Sequence, residues 1–465
     1  MTLLALELND ARLILARGSG DGGELIAESE GYAVLEGANV LTGAAARSRA
    51  RLTPLYSYNR FWRELSVVEL PRPNARARTP ADLAFAHLDG MLAPFRAGSP
   101  ELLLALPAGY SREQLGVLLG VAAEGDTPVC GIVDSAVAAV APEPVGARVL
   151  HLDLELHYAV LTALDRDSEL RRSHSELLPR HGLLALQEAW IEMIAATFVR
   201  RTRFDPLHQA ANEQDLWNRF PGWLAELERS ERIDVELSDE RASHTVELTR
   251  ESMLAATGPC YQGLLRFVQK MCPAGVSTEL LLSDRAGDAL GLAARLSSLP
   301  DVSVRSLARG AAALGSLRFA GEIRRPAGQV VLVTHLTGTG SAEPASAAFR
   351  VAHVPSAEQP THLVYEGRAL AISVVPLAVG WSVPSGERTL HVPAGPGVSR
   401  NHCSFVRRDG NALLEDHSTY GTYVNDSPVR GVVALRVGDR VKLGNPGVSL
   451  GLIRLVDDHA TPSQV

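Results

Sequence analysis

Apolar residues are distributed in two different ways along this chain. Up to about residue 320, short continuous apolar runs alternate with stretches of helical spacing; beyond about residue 360 the apolar segments are short, alternating and punctuated by Gly, Pro, Asn and Asp. Residues 3–17 predict two short strands folded about Asn9-Asp10, and the leucine-rich run 102–108 predicts a buried strand. A helix is predicted from a Thr-Pro start over 79–96 and another over 111–123, and 129–140 reads as a strand running into a small-residue helix. Strands at 149–154 and 157–164 precede a long helical passage, 182–232, interrupted near Asp205-Pro206. An alternating hairpin over 233–249 turns at Ser238-Asp239-Glu240; helix 249–271, strand 279–283 and helices at 286–298 and 308–317 follow. Strands separated by helices of this length predict an α/β domain with largely parallel, buried strands.

From about 322 the composition shifts to Gly, Ala, Ser, Pro and Thr, which predicts a linker over 326–358 with a strand at Val330–Leu336. Residues 359–458 then predict an all-β sandwich, with strands LVY, ALAISVVPLAV, VVALRVGDRVKLG and LGLIRLV, and 459–465 a loose tail. The first domain therefore spans 1–325.

Composition narrows the function classes. A formal net charge of -8 and only short basic clusters argue against a nucleic-acid or membrane-surface partner. Four cysteines without C-x-x-C spacing exclude a zinc ribbon and point to free thiols in a reducing, cytoplasmic setting. No G-x-S-x-G, H-E-x-x-H or P-loop pattern occurs, and the dispersed histidines support no metal site.

Gly397–Asp426 holds two polar loops, Ser399-Arg400-Asn401-His402 and Asp416-His417-Ser418-Thr419-Tyr420-Gly421-Thr422. This spacing resembles the forkhead-associated (FHA) domain, a reader of phosphothreonine peptides, whose loops carry Ser-Arg-x-x-His or Ser-Arg-x-His and Asp-x-Ser-x-Asn-Gly-Thr. The resemblance implies that Ser399, Arg400 and Thr419 hold phosphate, and that His402, Asp416, Ser418 and Gly421 shape the loops. Two positions depart from the family. Its Gly-Arg reads Gly380-Trp381, and its Asn before glycine reads Tyr420. Losing one charged hydrogen bond removes roughly 1.5–3 kcal/mol. Trp381 and Tyr420 could instead form an aromatic contact surface, so phosphothreonine binding and phosphate-independent binding both stay open.

Residues 1–325 resemble the actin and DnaK-type chaperone ATPase fold, a two-lobed α/β domain. The matching passages are Leu104-Ala105-Leu106-Pro107-Ala108, Ile132-Val133-Asp134-Ser135-Ala136-Val137-Ala138-Ala139 and Ala308-Arg309-Gly310-Ala311-Ala312-Ala313. In that family glycine-rich hairpin tips wrap the phosphates, because backbone N–H groups must approach the anion closely. Here the first tip reads Glu7-Leu8-Asn9-Asp10-Ala11, the second Asp153-Leu154-Glu155-Leu156-His157, and the adenosine loop Ser283-Asp284-Arg285. The glycines are gone, and Asp10 and Glu155 would set negative charge against a polyanion, at roughly 4 kcal/mol for a pair 4 Å apart. The expectation is a pseudo-ATPase that uses no ATP, magnesium or other cofactor. Its predicted role is a non-enzymatic adaptor that brings in a protein partner, phosphorylated on threonine by a Ser/Thr kinase in one version. The alternative is an ATP-dependent, chaperone-like switch with the FHA domain as its targeting module.

Overall fold

A computed structural model describes residues 2–337 and 359–454, except 20–21, 147, 240–241, 273–274, 326–329, 366–367, 384–387, 396, 409–410, 419–420, 426, 430 and 445–446. The chain forms two compact units, Met1–Ala345 and Ser346–Val465.

The first unit is built on one sheet plan used twice. In the first sheet, β1 (Leu3–Glu7), β2 (Leu13–Ser19) and β3 (Gly22–Ser29) form an antiparallel meander. β4 (Glu101–Leu106) lies parallel to β1 on its other side, and β5 (Val129–Asp134) parallel to β4. In the second, β6 (Arg148–Leu154), β7 (Tyr158–Arg166) and β8 (Leu170–Pro179) are the meander, while β9 (Thr278–Leu282) and β10 (Val302–Ser306) are the parallel pair. The orders are thus β5-β4-β1-β2-β3 and β10-β9-β6-β7-β8. Both sheets are mixed, where largely parallel ones were expected. Connections as short as that from Glu7 to Leu13 can join only antiparallel neighbours.

Alternation along these strands buries both faces. Leu102, Leu104 and Leu106 enter one apolar cluster while Leu103 and Ala105 enter another, which also takes Val149, Leu164 and Leu281 from the second sheet. Two small-residue helices, Ser135–Val140 and Ala311–Arg318, fill the space in that shared core. A Cβ at Gly315 would lie 1.9 Å from the Ala138 carbonyl oxygen, so only glycine allows this approach.

Helix starts follow their caps. Thr79 and Asp82 form a capping box on Pro80–Leu92, and Ser111 and Gln114 another on Arg112–Glu124. The 249–271 helix is two, broken at Thr257, and the 286–298 helix is two short turns, Asp284–Gly287 and Leu292–Leu296. The helical passage splits as expected into Leu183–Thr202 and Ala210–Leu227, and the hairpin forms as Arg232–Ser238 with Ser243–Thr249. The strand expected over 330–336 forms as two short strands that extend both sheets of the first unit, and residues 338–358 of the expected linker lie outside the described residues. Leu332–Val333 pairs with β5 and His335–Leu336 with β8.

In the second unit two sheets enclose a core that includes Leu363, Val379, Phe405, Leu414, Val441 and Leu452. Continuing the numbering past those two short strands (β11 and β12), the first sheet comprises β13 (His362–Tyr365), β14 (Arg368–Ala371), β19 (Thr422–Val424), β20 (Ser427–Pro428), β22 (Arg440–Leu443) and β23 (Val448–Ile453). The second comprises β15 (Leu377–Gly380), β16 (Thr389–His391), β17 (Cys403–Arg408), β18 (Asn411–Asp416) and β21 (Val432–Ala434). The expected single strand over 369–379 is two strands in different sheets, because the chain breaks at Ser373-Val374-Val375-Pro376, where Pro376 has no N–H for a ladder. Residues 409–410 and the expected tail at 459–465 lie outside the described residues.

Candidate functional site

Two places concentrate polar chemistry, one in each unit. In the first unit the C-terminal ends of β1, β6 and β9 bring Glu7, Asp153 and Ser283-Asp284-Arg285 together. Arg285 is 3% exposed at the centre. Its Nη2 donates to Glu7 Oε1 at 2.6 Å and to Asp153 Oδ2 at 3.1 Å, and its Nε donates to Asp153 Oδ1 at 3.2 Å. Asp284 Oδ1 lies 3.4 Å from its Nη1, and Asp284 also accepts from Arg12 at 3.2 Å. A fork of donors thus meets carboxylates from three strand ends, the bidentate geometry in which such pairs are strongest.

The electrostatics follow this arrangement. Burial alone would raise the Asp153 carboxyl, but the Arg285 charge overrides it and holds Asp153 down at about 2. Burial raises Glu7 above the usual carboxylate range in spite of Arg285. Burial would lower the Arg285 guanidinium, and Asp153, Glu7 and Asp284 together hold it above its ordinary value.

The hairpin tips close on each other. Asn9 Nδ2 donates to Asp153 Oδ2 at 2.9 Å and to the Leu154 carbonyl at 3.2 Å. Asp10 Oδ1 accepts the Leu156 N–H at 2.6 Å, so a side chain of one tip takes the backbone donor of the other. Glu155 is buried beside Asp10, with Arg63 Nη1 3.8 Å from its Oε2. Among the described residues neither Glu155 carboxyl oxygen has a hydrogen-bond partner. Burial, reinforced by Asp10, raises Glu155 well above the carboxylate range, and burial raises Asp10 to about 6. Ser283 caps the short helix after β9 by accepting from the Ala286 N–H. His157, also buried, has its Nε2 3.1 Å from the Asn59 carbonyl oxygen.

What remains among Glu7, Ser135, His151, Asp153, Arg285 and Ala312 is a cavity of about 10 Å³, room for one water molecule. Arg285, beside this cavity, has no role in the sequence pattern alone. The signal was present: a lone arginine directly after a buried strand, in a chain with carboxylates at two other strand ends.

In the second unit, β15 and the turn before β17 carry the other constellation. A Cβ at Gly380 would lie 2.0 Å from the Arg400 carbonyl oxygen, so glycine lets the two segments run together. Trp381 N–H donates to the Ser399 carbonyl at 3.3 Å and Ser382 N–H to the Arg400 carbonyl at 3.1 Å. His402 is fully buried and braces this turn. Its Nδ1 accepts the Ser399 N–H at 3.0 Å, and its backbone N–H donates to Val379 at 2.8 Å. The Arg400 side chain is exposed, with its guanidinium carbon 5.5 Å from the centre of the Trp381 ring.

The second loop is shaped by short side chains. Asp416 Oδ1 accepts from the Ser418 N–H at 3.0 Å and from Thr422 Oγ1 at 2.6 Å, and Ser418 Oγ accepts the Gly421 N–H at 2.9 Å. Gly421 sits at φ 91°, a conformation that favours glycine. Thr419 and Tyr420 lie outside the described residues. Ser399, Arg400, Trp381 and the brace from His402 are thus brought together, with Asp416, Ser418 and Gly421 setting the neighbouring turn.

No curated protein matches the chain. Residues 382–444 match the family model of the FHA domain, and the second unit therefore contains an FHA domain.

Proposed function

We propose that the protein is a non-enzymatic adaptor that binds a phosphothreonine-bearing protein partner through its FHA domain. The observation that carries this reading is Arg400. It is an exposed guanidinium on a turn pinned by His402, and among the described residues no carboxylate pairs with it. A phosphate brings about −1.5 to −2 charges and three acceptor oxygens, which a fork of this kind suits.

The first unit, in this reading, is an actin- and chaperone-type ATPase fold that no longer takes nucleotide and serves as a scaffold. Its support is the doubled β-meander plan and the internal cation at the place where hairpin tips would meet phosphate. A ligand of nucleotide size has no room in a cavity of about 10 Å³. Opening it would expose Glu7, Asp153 and Asp284 to a polyanion.

The test is a comparison of phosphothreonine peptides with their unphosphorylated twins on the full chain. Binding selective for the phosphorylated form, lost in Arg400→Ala, is the expected result. Equal binding of both forms, unchanged by Arg400→Ala, would replace phosphate recognition by a phosphate-independent contact.

A further inference from the structure

We infer that Trp381 is a positioning residue, whose ring holds the Arg400 guanidinium ready for an anionic group on the partner. The inference rests on the reading that Arg400 binds phosphothreonine.

The geometry begins in the backbone. The hydrogen bonds from Trp381 to Ser399 and from Ser382 to Arg400 fix the two segments side by side, and Gly380 permits the approach. The side chains of Trp381 and Arg400 therefore leave the same edge, and the guanidinium carbon lies 5.5 Å from the ring centre. Both remain at the surface, Trp381 being 38% exposed. An indole left this open by a fold that buries Phe405 completely is not serving the core.

An exposed arginine samples many rotamers, and gripping an anion costs that freedom. A ring that already holds the guanidinium lowers the cost without touching the anion. A guanidinium carries five N–H donors, so those not facing the ring stay available to phosphate oxygens.

The test is a double-mutant cycle on the full chain. The probes are the tightest binder from a phosphothreonine peptide library and its unphosphorylated twin. Trp381→Ala should weaken the phosphopeptide about two- to five-fold, the range of an exposed cation–π contact, and leave the twin unchanged. In an Arg400→Ala background the same substitution should have no further effect. Trp381→Phe, which keeps an aromatic face, should retain most of the affinity. Equal weakening of both peptides, or an undiminished effect without Arg400, would make Trp381 a direct peptide contact and overturn the inference. So would Trp381→Ala binding like the parent. If no phosphothreonine peptide binds the parent chain, the functional reading itself fails and takes this inference with it.

Discussion

Replacing Arg285 by methionine removes one charge from a nearly dry site while keeping much of its apolar volume. Arg285 is 3% exposed and lies 2.6 Å from Glu7, 3.1 Å from Asp153 and 3.4 Å from Asp284. The cavity beside it, about 10 Å³, admits too little water to solvate the carboxylates left behind. Breaking a buried ion pair by removing one partner costs about 3–5 kcal/mol, because the remaining charge stays buried and uncompensated. Much of that cost belongs to the orphaned carboxylates, so neutralising them should return it. Arg285→Met with Glu7→Gln and Asp153→Asn should regain most of the loss. Urea unfolding followed by tryptophan fluorescence measures this, since four of the five tryptophans (Trp62, Trp190, Trp217, Trp223) lie in the first unit. A loss below about 1 kcal/mol in Arg285→Met, or no recovery in the triple variant, would refute the reasoning that this ion cluster holds the unit closed.

Acidification from pH 7 to 5 should make the buried histidines of the first unit costly to keep folded. His87 and His151 are buried, and burial lowers both to about 4. The unfolded chain takes up their protons below about 6.5, so each costs roughly 2 kcal/mol by pH 5. Asp10, raised to about 6, and Glu155, raised well above the carboxylate range, run the other way, so the histidine share is read by difference: His87→Gln should shift the change in unfolding free energy between pH 7 and 5 by roughly 2 kcal/mol toward stability, and a pH dependence identical to the parent's would contradict it. Gly315→Val should unfold or severely destabilise the first unit, because its Cβ would lie 1.9 Å from the Ala138 carbonyl oxygen; a thermal melt within about 1 kcal/mol of the parent would show that this helix contact yields.

The strands with continuous apolar runs, such as Leu102–Leu106 and Val149–Leu154, were legible in sequence because both their faces are buried. β8 was not, since LRRSHSELLP is mostly exposed or half-buried and its pairing with β7 comes from the ladder rather than from an apolar pattern. β3 is similarly hidden, being a polar strand supported by its meander neighbour β2. That Asn9 and Glu155 stand where the resembling ATPase family has glycine could be read directly. The internal cation could not, because Glu7 and Asp153 stand 278 and 132 residues from Arg285. Likewise Trp381 reads in sequence as the loss of a cation, and only the fold brings its ring against Arg400.

In the proposed reading the first unit carries its own cation where an actin- or chaperone-type ATPase would hold nucleotide, and works as a scaffold. Titrating the full chain with Mg-ATP while following its melting temperature tests this most directly. The account predicts no change up to millimolar concentrations. A saturable rise that grows with the logarithm of concentration would contradict it.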